Sequence, residues 1–257
     1  MAEPAAQTTL DALLGGRIRV AQPRRGARVA VDSVLLAAAV EARPGERLLE
    51  LGAGVGAVSL CVAARLAGCE ILGLEREADL VALAHANAAA NGMSARCRFV
   101  AGDVADPPPE IREAAPYAAV FLNPPHLAAA AADPPPQTLR RRAFVEEGAG
   151  LSVWIRTAHR LLAHAGRILL IHRADRLDDV IAALRPRRLF GDVRILPVQP
   201  RTGEPARRVI VHARKGLRSP ATLLPPLVLH RAGGDWSEAA ERILRAGEGL
   251  SAVVGWG

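Results

Sequence analysis

The chain has 257 residues, half of them hydrophobic, and carries a formal charge of +7. That length suits one large core or two small ones, and with no apolar run of about 18 residues no membrane-spanning helix is expected. The opening "MAEPAAQTTLDALLGG" has neither a basic leader nor a continuous apolar stretch, so no secretion signal is expected either.

"RIRVAQPRRGARVAV" (17–31) reads as two short strands around a Pro-Arg-Arg-Gly turn. Asp32 reads as the N-cap of a helix through "SVLLAAAV". From position 47 strands and helices alternate. "RLLELG" is a strand, "GAVSLCVAARLA" a helix, "CEILGLE" a strand, and a helix follows to Ala90, closed by Asn91-Gly92. "ARCRFVAGD" and "YAAVFLN" are strands. A helix covers 149–163 and "GRILLIH" (166–172) is another strand. Helix "RLDDVIAALR" precedes the strands "DVRILPV" and "RRVIVHAR", whose short connection "QPRTGEPA" predicts an antiparallel pair.

Apolar strands that do not alternate with polar residues, separated by helices, predict an α/β chain: a doubly wound, mostly parallel, seven-stranded sheet. Its last strand pair is antiparallel. Residues 1–40 form an N-terminal hairpin and helix, 41–216 the core, and 217–257 a C-terminal tail with a helix from Trp236. The stretch 127–147, proline-rich and basic, has the character of a functional loop.

Cys61, Cys69 and Cys97 lack CxxC spacing and read as reduced core thiols of a cytoplasmic protein, so no metal is expected. Lys215 is the only lysine; the remaining basic side chains are arginines, whose planar fork suits phosphates and base faces.

"LLELGAGVG" puts Glu50, Gly52, Ala53, Gly54 and Gly56 at the carboxyl end of the first parallel strand, where glycines let backbone approach a ligand. Glu75 ends the next strand, in position for ribose hydroxyls or for solvent. Glu50, just before the glycines, disfavours a pyrophosphate and favours a ligand with positive charge, such as an aminoacyl sulfonium. Asp103 closes the third strand and can accept from an adenine amine, or serve a turn.

In that order, "LELGAGVG", Glu75, "AGD" and "NPPH" resemble the Rossmann-like S-adenosylmethionine-dependent methyltransferases, in the branch that modifies exocyclic or amide amines. Flanking segments such as "QPRRGARVAVDSVLLAAAV" and "PVQPRTGEPARRVIVHARKG" look like the bacterial methyltransferases acting on N6 of adenosine 37 in a valine tRNA. The resemblance implies S-adenosylmethionine as cofactor and tRNA as partner. It implies that Glu50, Gly52, Ala53 and Gly54 line the methionine part, Glu75 the ribose and Asp103 the adenine. Gln22, Arg28 and Asp32 would lie near the amino-acid end of the cofactor.

"FLNPPH" ends a buried strand on a proline-locked corner. An exocyclic adenine amine is a poor nucleophile and must be oriented. The Asn123 side chain and the Pro124 carbonyl can each accept one amine hydrogen, and Pro125 stiffens the corner before substrate arrives. His126 is placed to stack on an extruded base, or stands free in a loop. Arg140, Arg141 and Arg142 are RNA-contact candidates, or a solvated charge run. Amide transfer to a protein glutamine, and transfer to an rRNA base or DNA adenine, fit the same corner. The third possibility is an RNA-binding module without catalysis. The short segment before the first core strand favours a nucleic acid.

Overall fold

The structure, a computed structural model, describes residues 8–24, 29–124, 150–186 and 189–256. Strands β1 (Thr8–Leu13) and β2 (Ile18–Pro23) form a hairpin, followed by α1 (Val31–Ala39). The central sheet then builds from β3 (Arg47–Leu51), β4 (Glu70–Glu75), β5 (Cys97–Ala101), β6 (Tyr117–Leu122), β7 (Leu162–Arg173), β8 (Phe190–Arg201) and β9 (Arg208–Lys215). The intervening helices are α2 (Ala57–Arg65), α3 (Ala78–Ala90), α4 (Pro109–Glu113), α5 (Leu151–Leu161) and α6 (Leu177–Leu184). Beyond β9 come β10 (Thr222–Leu223), β11 (Leu227–His230), α7 (Glu238–Leu244) and α8 (Leu250–Val254).

The sheet order is β10-β8-β9-β7-β6-β3-β4-β5, with β11 also on β8. The pairs among β3 to β7 are parallel, and β9 runs antiparallel between β7 and β8. The seven expected strands are therefore present with the antiparallel pair at the end, and the C-terminal segment adds two short parallel strands that widen the sheet to nine.

The continuous apolar strands follow from burial on both faces. Leu48, Ile71, Phe121, Leu169 and Ile210 point into one core, under α1, α2, α7 and α8. Leu49, Leu72, Leu122, Leu170 and Val211 point into the other, under α4, α5 and α6. Cys61, Cys69 and Cys97 are free thiols within these layers, and burial raises the pKa of all three.

Two local expectations change. The hairpin lies upstream of the predicted one: β2 pairs with Thr8–Leu13, and the turn falls at Leu14–Arg17 rather than at Pro-Arg-Arg-Gly. Val29 and Ala30 are not strand, because Gln22 Oε1 takes the Val29 N–H at 2.7 Å and α1 starts at Val31. Asp32 is not the N-cap; Ala30 holds that position, and Asp32 sits in the first turn with its carboxylate 2.7 Å from Arg208 Nε.

Asn87 on α3 and Asn91, the C-cap residue one turn on, hold the hairpin to that helix. Asn87 Oδ1 accepts from Ala21 N at 2.8 Å, and Asn87 Nδ2 donates to Ala21 O at 2.9 Å and Val55 O at 3.0 Å. Asn91 repeats the exchange with the N–H and C=O of Arg19. The pair stands in for a third strand along one edge of β2. Asn87 is 3 % exposed, so its loss would strand buried backbone groups. Asn87→Ala should lower unfolding free energy by on the order of 3 kcal/mol, and Asn91→Ala, at a more exposed position, by clearly less. Urea denaturation of the two variants checks this; equal losses would contradict it.

Candidate active site

The carboxyl ends of β3, β4, β5 and β6 lie side by side. They bring Glu50 with the 52–56 loop, Glu75, Asp103 and Asn123 to one edge of the sheet. The loop is pinned from several directions. Gly52 N and Ala53 N both donate to Leu74 O, at 2.8 and 3.0 Å, and Gly56 N closes a turn onto Ala53 O at 2.8 Å. A Cβ on Gly56 would lie 2.7 Å from the Phe99 ring, and one on Gly52 2.7 Å from the Trp154 indole. Both glycines also have positive φ, +82° and +72°, so each is required twice over. Gly54 (φ +53°) has nothing within 4 Å of its Cβ position, so the loop is filled on its packed sides and open above Gly54.

Glu75 reaches this loop. Its Oε2 accepts from Gly54 N at 2.8 Å and its Oε1 from Glu77 N at 3.0 Å. Each carboxylate oxygen retains lone-pair capacity, so the group can accept ligand hydroxyls as well. Asp103 is exposed, with Oδ1 on Ala105 N at 2.7 Å. The segment after it is held by Thr157 of α5, whose hydroxyl donates to Val104 O at 2.9 Å. An open glycine cradle between two carboxylates that keep spare acceptor capacity fits a ligand rich in hydroxyl and amine donors.

Glu50 is placed differently from the expectation. It is 2 % exposed, beneath the loop, and its Oε2 takes both the backbone N–H and the hydroxyl of Ser59 on α2. Burial pushes its carboxyl up to about 8, against the lowering effect of the Ser59 bonds. Near neutral pH the ligand-free carboxyl is therefore largely protonated, and the argument that its charge selects a cationic ligand loses its basis in this state.

Asn123 follows Leu122, which pairs with Leu51 of β3, so it stands level with Gly52. Its Oδ1 is shielded from solvent and has no hydrogen-bond partner among the described residues. A shielded acceptor without a donor costs about 1–3 kcal/mol, which a ligand donor would recover. Pro124 is buried beside it. Gln22 is 1 % exposed and spends both ends of its amide within the hairpin region, on Asp11 and Val29 N. Asp32 is engaged by Arg208. Arg28, Pro125, His126, Arg140, Arg141 and Arg142 lie outside the described residues.

Sequence reasoning missed Ser59, Asn87 and Trp154. Only Ser59 had a local signal, a polar residue within an apolar helix start. Among the described residues no group of His, Cys, Asp or Glu could hold a metal ion, and no helix is long and apolar enough to cross a membrane.

The methyltransferase small domain family matches residues 26–194. A tRNA1(Val) (adenine(37)-N6)-methyltransferase of Porphyromonas gingivalis is 31% identical over 84% of this chain and 86% of its own length. One of the same name from Aeromonas salmonicida is 27% identical over 86% of this chain and 90% of its own. Among solved structures, a predicted O-methyltransferase of Agrobacterium tumefaciens superposes with a TM-score of 0.67 at 30% identity, covering 82% of this chain and 94% of that one.

The Glu50 environment sets a pH dependence. A carboxyl whose folded pKa lies above its ordinary 4.5 contributes stability that is complete below 4.5 and is lost as pH rises to about 8. Glu50→Gln should remove that loss. Its melting temperature relative to the parent protein should rise between about pH 5 and about pH 8.5. A constant difference across the range would contradict the assignment.

Proposed function

The chain belongs to the methyltransferase small domain family, and on that premise we propose that it transfers a methyl group from S-adenosylmethionine to the exocyclic N6 amine of an adenine in tRNA. The acceptor is adenosine 37 of a valine tRNA, the target in the names of relatives that match this chain over most of its length. The observation that carries the reading is the shielded Asn123 Oδ1, without a partner among the described residues, at the strand end level with the glycine loop.

S-adenosylmethionine, when bound, supplies a methyl group already activated on a sulfonium. The backbone of Gly52, Ala53 and Gly54 would hold its methionine part, Glu75 would accept from the ribose hydroxyls and Asp103 from the adenine amine. Asn123 Oδ1 accepts one hydrogen of the acceptor amine and the Pro124 carbonyl accepts the other. Two acceptors on one amine draw the nitrogen out of conjugation with the ring and aim its lone pair. A neutral corner suffices, because the amine proton becomes acidic once the new N–C bond forms. Pro125 stiffens this geometry and His126 stacks on the extruded base. Arg140, Arg141 and Arg142 take RNA phosphates.

Labelled cofactor incubated with total RNA and total protein tests the assignment. Nucleoside digestion should recover N6-methyladenosine; label in methylglutamine with none in RNA would overturn it. Asn123→Ala should lower turnover by roughly 100- to 1000-fold with cofactor affinity within a few-fold of the parent. Near-normal turnover would remove Asn123 from the mechanism. Glu75→Ala should do the reverse and weaken cofactor binding at least about tenfold, since each charged hydrogen bond contributes about 1.5–3 kcal/mol. Calorimetry showing unchanged affinity would count against the ribose role.

A further inference from the structure

A cleft of about 440 Å³ opens at the opposite end of the sheet, with Ala118 of β6 in its wall. Five residues along β6 separate Ala118 from Asn123, about 16 Å at strand rise, so the cleft is not part of the methyl-transfer corner. It lies among the amino ends of β7 and β8, the end of β9 and the loop before β3. Four of its lining residues are Arg43, Arg167, Arg194 and Arg214.

Two of its three acidic residues are paired with arginines, and the third, Glu41, keeps its charge. Glu46 accepts from Arg167 Nη2 at 2.6 Å, Asp192 pairs with Arg194 at 3.3 Å, and Glu41 takes the Ser251 hydroxyl. Arg43 and Arg214 have no carboxylate partner among the described residues. Arg214 donates Nε to Ala165 O at 3.2 Å, which leaves its terminal nitrogens to the cleft. It also stands directly across from Arg167 in the β7–β9 register; Glu46 already pairs with Arg167, so of the two facing arginines Arg214 is the one without a carboxylate among the described residues.

The backbone is distorted to make this arrangement. Between Leu162 and Arg167, β7 takes five steps where β6 takes two, from Tyr117 to Ala119. β8 likewise bulges between Gly191 and Arg194. Ala165 and Asp192, one at each irregularity, have φ of +56° and +48° without being glycine. Such conformations are strained and persist where the surroundings impose them. Here the first turns its carbonyl onto Arg214 and the second its carboxylate onto Arg194. His212, a lining residue 8 % exposed, has a shielded Nδ1 with no hydrogen-bond partner among the described residues.

We propose that this cleft binds a small phosphorylated molecule, with Arg214 and Arg43, the two arginines without a carboxylate partner among the described residues, meeting its phosphate. Four arginines against three carboxylates leave the lining net positive, and two guanidinium groups without a carboxylate partner can each bond phosphate oxygens. The polar lining and the volume of this half-open cleft suit a small molecule.

Titration calorimetry of the full chain with inorganic pyrophosphate tests this. The expected result is saturable binding at one site, weakened about tenfold or more by Arg214→Gln and several-fold by Arg43→Gln, with S-adenosylmethionine affinity unchanged in both. Arg43 is exposed in a loop, so its variant keeps the test valid if Arg214→Gln compromises folding. No saturable binding, or binding that neither substitution alters, would overturn the proposal. Citrate binding as tightly as pyrophosphate with the same arginine dependence would overturn the phosphate assignment.

Discussion

At Gly52 and Gly56 the backbone has no room for a side chain, and the carboxyl edge of the sheet is arranged around that limit. Phe99 fills the space beside Gly56, Trp154 the space beside Gly52, and Leu74 O gathers two of the loop's N–H groups. Asn87 takes the Val55 carbonyl and ties the same loop to the N-terminal hairpin. The loop is thereby rigid from strand, helix and hairpin at once, and only the side above Gly54 stays open. A preorganised backbone of this kind spends little ordering entropy when it meets a ligand.

The chemistry of the edge divides along the strand order. Carboxylates stand at or just past the β4 and β5 ends, a buried and largely neutral carboxyl lies beneath the β3 end, and a neutral amide with a proline follows the β6 end. Acceptors beside the glycine loop suit the hydroxyls and amines of a nucleoside. A neutral acceptor suits an amine that must be oriented rather than deprotonated. Transfer to oxygen, the activity in the name of the Agrobacterium neighbour, benefits from a base at the acceptor, and Asn123 cannot act as one. Beneath the loop, Glu50 is held by Ser59 and kept largely neutral by burial, which makes it a fixture of the strand-to-helix turn.

The parts of this arrangement that were legible in the sequence are those written locally. Runs such as "LLEL" and "VFL" mark strands buried on both faces, and the glycines, Glu75, Asp103 and Asn123 fall at their ends. The hairpin was misplaced because "TTLDAL" is a weak strand on its own and is fixed by pairing with β2. β10 and β11, two and four residues long, carry no periodicity to detect and exist because β8 offers them an edge. Asn87 could not be read because its partners are backbone atoms, one of them in Ala21, 66 positions away. The arginine cleft was invisible for the same reason: its residues come from separate segments and converge only where two strands bulge.

On the proposed function, the corner at Asn123 acts on the amine of one adenine. Two synthetic valine tRNAs would test it most directly, one carrying adenosine at position 37, the target position in the relatives' name, and one carrying purine riboside, which lacks only the exocyclic amine. In single-turnover transfer from labelled cofactor, the account predicts a methyl group on the first and none on the second, with both RNAs bound equally. Equal labelling of the two would contradict it.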